Sequence, residues 1–314
     1  MAETSGAPRP RPLRLATRGS PLARFQAQEV ARRIGAVPGA PAVDVVVVST
    51  TGDRLADVPL DLLGGQGVFV KEVQAAVLDG RADLAVHSAK DLPSVTPPGL
   101  VLACVPERLD PRDALVGSRL DQLDPGAVVA TGSVRRRAQL AWLRPDLTYC
   151  ELRGNMDRRL ATARAEGAGV MAVAALVRLG LAGEVAEVLE PADMMPQVGQ
   201  GALAVECRHD DEDVRGLLEA FDDLSAHRAL RAERAFLAAL GGGCSLPAGA
   251  LAVVEAGGTL AIDGMLASAD GRVMLRSSAS GDDPEALGAS LAGHLLDGAG
   301  GRSLGDWAPP ASRP

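Results

Sequence analysis

Residues 127–180 read AVVATGSVRRRAQLAWLRPDLTYCELRGNMDRRLATARAEGAGVMAVAALVRLG, and the order of elements in this stretch decides the fold. Ala127–Ala130 is a short apolar run that stops at Thr131-Gly132-Ser133, the pattern of a strand followed by a helix start. Ser133 suits an N-cap, where a hydroxyl accepts from a free N–H of the first turn, and the helix it opens runs through Leu143. Leu147–Leu152 reads as the next strand, Met156–Ala165 as the next helix and Val170–Ala174 as a third strand. Such alternation of strand and helix predicts a mostly parallel sheet covered by helices.

Working outward, the same pattern precedes this stretch. Leu13–Ala16 reads as a strand, and Ser20-Pro21 caps and opens a helix whose apolar face is Leu22, Phe25, Val30 and Ile34. Val43–Val48, valine at every position but Asp44, is read as an apolar run, which predicts a strand buried on both faces. Val68–Leu78 reads as a helix ended by Gly80; Asp83–His87, Leu100–Val105 and Ala202–Cys207 read as strands. The last third is different. Ser225–Leu240 is a helix ended by three glycines, and three strands (251–255, 259–268, 273–278) are separated by the turn signals Ala256-Gly257-Gly258 and Ala269-Asp270-Gly271. Asp283-Pro284 opens a final helix through Leu296. The expected fold class is therefore α/β: two similar α/β lobes, then a small C-terminal α+β domain with a three-stranded antiparallel sheet.

Charge is distributed unevenly. The chain of 314 residues carries a net charge of −8, yet nine arginines and only four acids fall between Arg135 and Arg178. An arginine excess on an acidic background suits a cleft for a polyanion, because guanidinium grips carboxylate or phosphate with two prongs. The bland alternative is a solvated helix face. The acidic balance and 2% aromatic content argue against a nucleic-acid binder. No apolar run reaches the length of a membrane span, and Met1–Pro12, rich in proline and arginine, reads as a disordered tail rather than a signal peptide. Of 32 basic residues only Lys71 and Lys90 are lysine, which draws attention to Lys90-Asp91.

Placement favours the cleft. Arg18 and Ser20, Lys90 and Asp91, Ser133 with Arg135 and Arg136, Arg153 with Asn155 and Arg159, and Arg178 all follow the end of an expected strand. Ligands of open α/β sheets bind beyond those ends, and Ser133 adds a helix N-terminus. Asp91 is an acid among cations. It either neutralises Lys90 and its neighbours or serves a donor or a transient cation of the ligand. Cys244 follows three glycines in an open loop past a helix end, where nothing lowers a thiol's pKa. A thiol that forms one permanent bond suits that place better than a turnover nucleophile. Cys104, Cys150 and Cys207 read as ordinary buried cysteines. No zinc spacing, Walker loop or dinucleotide fingerprint occurs, so no metal is expected.

Seven motifs in order identify a resemblance: Ala16-Thr17-Arg18-Gly19-Ser20-Pro21-Leu22-Ala23, His87-Ser88-Ala89-Lys90-Asp91-Leu92-Pro93, Ser133-Val134-Arg135-Arg136, Leu152-Arg153-Gly154-Asn155, Arg178-Leu179-Gly180, Val198-Gly199-Gln200-Gly201-Ala202 and Gly242-Gly243-Cys244. The chain resembles the porphobilinogen deaminase (hydroxymethylbilane synthase) family over about residues 13–250. The resemblance implies a transferase of porphyrin and haem biosynthesis that condenses four porphobilinogen molecules head to tail into hydroxymethylbilane, releasing ammonia at each step. It implies a dipyrromethane cofactor joined by a thioether to Cys244, and Asp91 as the catalytic carboxylate. Cofactor binding falls to Arg18, Ser20, Lys90, Ser133, Arg135, Arg136, Arg153, Asn155, Arg159, Arg178 and Gln200. Substrate binding falls to Arg18, Ser20, Phe69, Arg153, Arg159 and Arg178. It further implies periplasmic-binding-protein-like lobes with crossings near Pro106 and Pro196–Gly199, and a cytoplasmic monomer with no nucleic-acid or membrane partner. The implied domains are 13–105 with 201–221, 106–200, and 222–314 carrying the cofactor cysteine, after a tail at 1–12.

Three positions depart from the family pattern: Gln66, Ala89 and Gly132. Two rival readings remain. A non-enzymatic two-lobed polycarboxylate-binding protein leaves Cys244 unexplained, and a transferase that acylates Cys244 at each turnover lacks a base near the thiol.

Overall fold

Three sheets organise the chain, and the 127–180 stretch supplies the centre of the second. The structure, a computed structural model, describes residues 11–54, 69–241 and 247–304. The first lobe begins with β1 (Leu13–Arg18), α1 (Pro21–Gly35), β2 (Val43–Val48), the single turn α2 (Thr51–Arg54), α3 (Lys71–Leu78) and β3 (Leu84–Ser88). A 3-10 turn, Ala89–Asp91, and β4 (Leu100–Cys104) follow. The second lobe contains β5 (Asp113–Val116), β6 (Val128–Ala130), α4 (Val134–Leu143), β7 (Thr148–Cys150), α5 (Met156–Glu166), β8 (Ala168–Ala172), α6 (Val173–Arg178) and β9 (Val185–Leu189). The chain then returns as β10 (Leu203–Arg208) and α7 (Glu212–Glu219).

The strand orders are β2-β1-β3-β10-β4 and β7-β6-β8-β5-β9, so the strand that follows each crossing, β10 or β5, lies inside its sheet. Both sheets are mixed, which corrects the expectation of mostly parallel ones. β1 runs parallel to β2 and β3, and β6 parallel to β7 and β8. β10 is antiparallel to β3 and β4, and β5 to β8 and β9. The antiparallel strands are the first after each crossing: a chain arriving from the other lobe enters its sheet from the opposite end. β5, β9 and α7 have no forecast in the sequence reading, and the run 170–174 divides into the end of β8 and the start of α6. The expectation for Val43–Val48 also fails. β2 is an edge strand with Val45 39% and Val47 45% exposed. Its apolar run reflects β-propensity rather than two covered faces.

Leu15, Val30, Ile34, Leu84 and Val205 fill one side of the first sheet, and Val73, Val77 and Ala85 the other. Leu160, Met171 and Leu176 pack one side of the second sheet, and Leu115, Leu140 and Val170 the other. The third unit is α8 (Leu224–Ala239), the meander β11 (Ala248–Val254), β12 (Leu260–Ala267) and β13 (Met274–Gly281), and α9 (Pro284–Gly293). Asp223 and Asp283 cap the two helices. Phe236, Leu260, Ile262 and Leu291 form its core, and Gly288 lets α9 approach so closely that a Cβ there would meet the Ala232 carbonyl of α8.

One carboxylate joins all three units. Glu233 of α8 is wholly buried and accepts from Arg108 Nη1 at 2.6 Å and Nη2 at 3.2 Å, Gly199 N at 2.7 Å and Ala252 N at 2.9 Å. Arg108 lies on the outgoing crossing, Gly199 on the return and Ala252 on β11. A buried charge this well supplied with donors is a strong junction, because loss of any partner leaves the rest unpaired.

Candidate active site

The site forms where the turn after β3 and the start of α1 in the first lobe face the starts of α4 and α5 in the second. Each of those starts is built by its cap. Ser20 Oγ accepts from Ala23 N at 3.2 Å, Ser133 Oγ from Arg136 N at 3.4 Å and Asn155 Oδ1 from Arg158 N at 3.0 Å. The caps fix where Arg18, Arg136, Arg153 and Arg159 leave the backbone.

Arg159 is the meeting point. Burial lowers its pKa first, and the positive charges of Arg136, Arg153 and Arg18 lower it further, against the opposing pull of Asp91. Lys90 lies in the same field. Burial and Arg136 draw its pKa down to about 8, Asp91 and Asp113 oppose this, and Arg159 adds to it. Thus Arg18, Lys90 and Asp91 of the first lobe share one electrostatic neighbourhood with Arg136, Arg153 and Arg159 of the second. Cations that destabilise one another's charge in a half-buried cleft favour an anionic ligand. The Arg18 guanidinium lies 4.0 Å from the ring centroid of Phe69, which holds it flat. Arg159 Nε donates to the Gly154 carbonyl at 2.9 Å, and Arg153 Nε to Glu151 Oε2 at 3.1 Å.

Behind the cleft stands Asp113, the first residue of β5, with no exposure. It accepts from Arg135 Nη2 at 2.8 Å, Arg136 Nη2 at 2.7 Å and Gln200 Nε2 at 2.8 Å. The two guanidinium groups outweigh burial and hold its carboxyl well below the usual carboxylate range. Gln200 Oε1 in turn accepts from Lys90 Nζ at 3.2 Å. A buried chain therefore runs from the second lobe through Asp113 and Gln200 to Lys90. Sequence reading misses Asp113, since one acid in Pro111-Arg112-Asp113 resembles an ordinary turn residue; its place opening an inner strand is the usable signal.

Three expected ligand residues have partners within the protein. Arg135 is 2% exposed, and its donors go to Asp113 and the Met195 carbonyl, so it braces the return crossing. Arg136, one residue on, likewise donates to Asp113 and to the Val170 carbonyl at 3.1 Å, and its charge also acts on Lys90 and Arg159. Arg178 is buried and donates to the Gly201 carbonyl at 2.9 Å. Its pKa is drawn down to about 10 by burial, and its charged neighbours are Glu29 and Arg33 of α1 rather than the Arg159 group. Gln200 is wholly buried and acts behind Lys90. Cys244 and Gln66 lie outside the described residues.

Of the departures, Ala89 lies beside Gly199, at φ +73°, where an added Cβ would stand 2.9 Å from the Ala89 carbonyl carbon and 3.1 Å from its Cβ. Gly132 admits Glu151: a Cβ at 132 would be 3.1 Å from Glu151 Oε2. His87 is buried inside the first lobe, its Nε2 3.2 Å from Glu206 Oε2, and takes no place in the cleft. Among the described residues no cluster of metal-ligating side chains occurs, and no helix is long and apolar enough to cross a membrane.

Comparison with known proteins gives a consistent answer. The family model described as porphobilinogen deaminase, dipyromethane cofactor binding domain, matches residues 13–216, and that of the porphobilinogen deaminase C-terminal domain matches residues 227–297. The porphobilinogen deaminase of Roseiflexus sp. (strain RS-1) is 50% identical over 299 residues, 92% of this chain and 97% of that protein. That of Acidothermus cellulolyticus is 49% identical over 296 residues, 90% of this chain and 88% of that protein. That of Bacillus subtilis (strain 168) is 42% identical over 293 residues, 91% of this chain and 93% of that protein.

Proposed function

Because the chain belongs to the porphobilinogen deaminase family, we propose that the cleft around Asp91 is where porphobilinogen units are joined head to tail into hydroxymethylbilane with release of ammonia. It is a transferase of porphyrin and haem biosynthesis. The observation that carries the assignment of roles is the gathering of Arg18, Arg136, Arg153 and Asp91 around Arg159, with Lys90 in the same field.

The residues present fit a dipyrromethane cofactor. Its pyrrole rings carry carboxylates, and the cleft offers cations whose charges oppose one another until anions enter. When bound, the dipyrromethane supplies the ring carbon to which the first substrate unit is added. Cys244, after α8, is the residue that would hold it by a thioether. Arg136, Arg153 and Arg159 bind its acetate and propionate groups, and Lys90 reaches the same groups from the opposite lobe. Arg18, flattened on Phe69, binds the incoming unit's carboxylates, and Ser20, Ser133 and Asn155 contribute the helix starts on which these groups rest. Asp91 accepts pyrrole N–H donors and stabilises the methylene cation that each unit becomes on losing ammonia. Arg135, Arg178 and Gln200 support the cleft from behind. The domain limits 13–105 with 201–221, 106–200 and 222–304, and a monomer in the cytoplasm, complete the proposal; the limits follow sheet membership, and the remainder follows the family resemblance.

The polycarboxylate-binding alternative is not favoured, since both family models and the named relatives point to the deaminase. The test is the intact mass of the denatured chain with peptide mapping of Cys244, followed by incubation with porphobilinogen. An added mass of two linked pyrrole units on the Cys244 peptide, and formation of hydroxymethylbilane, are expected. A chain that remains unmodified after porphobilinogen and forms no product would overturn the assignment.

A further inference from the structure

The condensation leaves one chemical task without a residue. When the ring carbon of the growing chain attacks the incoming unit, that carbon holds one hydrogen too many, and a base must remove it. Guanidinium is too weak an acid to serve: arginine stays charged throughout the useful pH range. Asp91 is poorly placed for the task, because a proton on its carboxylate would cancel the charge that holds the cation. His87 is turned into the first lobe beside Glu206.

Resting on the functional reading above, we propose that Lys90, held at Gln200 in the turn that also bears Asp91, is the base that removes this proton and the acid that returns it to the departing ammonia. The geometry supports it in three ways. Lys90 and Asp91 are neighbours in the Ala89–Asp91 turn, and the Asp91 charge acts on the amine. Lys90 Nζ is 3.2 Å from Gln200 Oε1, whose Nε2 is fixed by the Pro111 carbonyl at 2.7 Å and by Asp113 at 2.8 Å. An amide oxygen accepts from an amine or an ammonium alike, so this contact survives either protonation state. The charged groups facing Lys90 come from every side: Asp91 in its own turn, Asp113 of β5, Arg136 of α4 and Arg159 of α5. Burial and the arginines outweigh the acids and bring its pKa down to about 8, close enough to neutrality to exchange a proton. A residue needed only for its positive charge could be arginine, and 30 of the 32 basic residues here are arginine.

The step balances. The substrate's aminomethyl group enters as an ammonium; its C–N bond breaks with the electron pair to nitrogen, leaving ammonia and a methylene cation. Forming the C–C bond consumes the cation and leaves the extra proton on the attacked ring carbon. The neutral Lys90 amine takes that proton, and the C–H electron pair restores the aromatic ring. The Lys90 ammonium then passes the proton to ammonia, so ammonium leaves and Lys90 returns to its starting state.

The test uses the full chain. In the wild type, the pH dependence of Lys90 acylation by an amine reagent, mapped by mass spectrometry, should have its midpoint below that of an ordinary lysine. Lys90→Arg keeps the charge and removes the exchangeable proton; kcat should fall about 100-fold, with the cofactor mass retained on the denatured chain. In Lys90→Ala, added primary amines should restore turnover in proportion to their basicity. If Lys90→Ala does not acquire the cofactor, Lys90→Arg with porphobilinogen deuterated at its free ring carbon decides: a primary isotope effect larger than in the wild type is expected. Wild-type kcat in Lys90→Arg, or an unchanged isotope effect in it, overturns the proposal. A wild type that carries no pyrrole mass and makes no product instead overturns the underlying functional reading.

Discussion

Gln200 donates its amide hydrogen to Asp113 Oδ1 at 2.8 Å, linking the segment that returns to the first lobe with the strand that opens the second. Asp113 is also the shared acceptor of Arg135 and Arg136. Asp113→Asn should therefore destabilise the fold by about 3–5 kcal/mol, the range for breaking a buried ion pair from one side. Denaturant unfolding at neutral pH checks it. The folded carboxyl titrates below its unfolded value, so its contribution is complete above about pH 4 and is lost as pH falls through the folded value. The difference between wild type and variant should accordingly shrink in acid.

Asp91→Asn removes the charge and keeps the shape. Turnover of porphobilinogen should fall about 100- to 1,000-fold, the scale of losing one transition-state electrostatic contact. The intact mass should still show the cofactor. Loss of cofactor together with turnover would assign Asp91 to binding instead.

Arg135 and Arg136 are adjacent in sequence and should separate in phenotype. Arg136→Leu should leave a soluble chain with cofactor assembly or the first additions impaired, since a bound carboxylate loses a paired donor at about 2–5 kcal/mol. Arg135→Leu removes one buried donor each from Asp113 and the Met195 carbonyl, so its defect should appear as a lower Tm. Mass spectrometry and thermal unfolding of the two variants make the comparison.

Gly199→Ala places a methyl in a left-handed backbone position and against the Ala89–Lys90 peptide, whose nitrogen is 3.0 Å from the added carbon. Backbone strain alone costs about 1–2 kcal/mol. Because the displaced peptide carries Lys90 and Asp91, kcat should fall more than Tm predicts. An equal, modest loss in both would show that the turn yields without consequence.

Local grammar made much of this legible in advance. Ser20, Ser133 and Asp283 each cap the helix that their sequence context announces, and the three C-terminal strands follow their turn residues. The cations at strand ends point to the cleft because sheet geometry carries strand ends to one edge. Direction was not legible: whether β5 and β10 run parallel depends on the lobe from which the chain arrives. Nor was the convergence of Arg135 and Arg136 on Asp113, since adjacent residues on a helix differ by about 100° and only the packed partner fixes the phase. Asp113 escaped for the same reason, its partners lying 22 to 87 positions away.

Glu233 bears on how such a protein can be altered by recombination. Its donors are scattered over positions 108, 199 and 252, each in a different covalent neighbourhood. A chimaera that imports the C-terminal segment from a relative inherits the carboxylate without the arginine, and one that imports the central segment inherits the arginine without the carboxylate. Exchange of parts among such enzymes is thus constrained by matched triplets rather than by boundaries, and grafts that carry positions 108, 199 and 233 together should express where single-segment grafts do not.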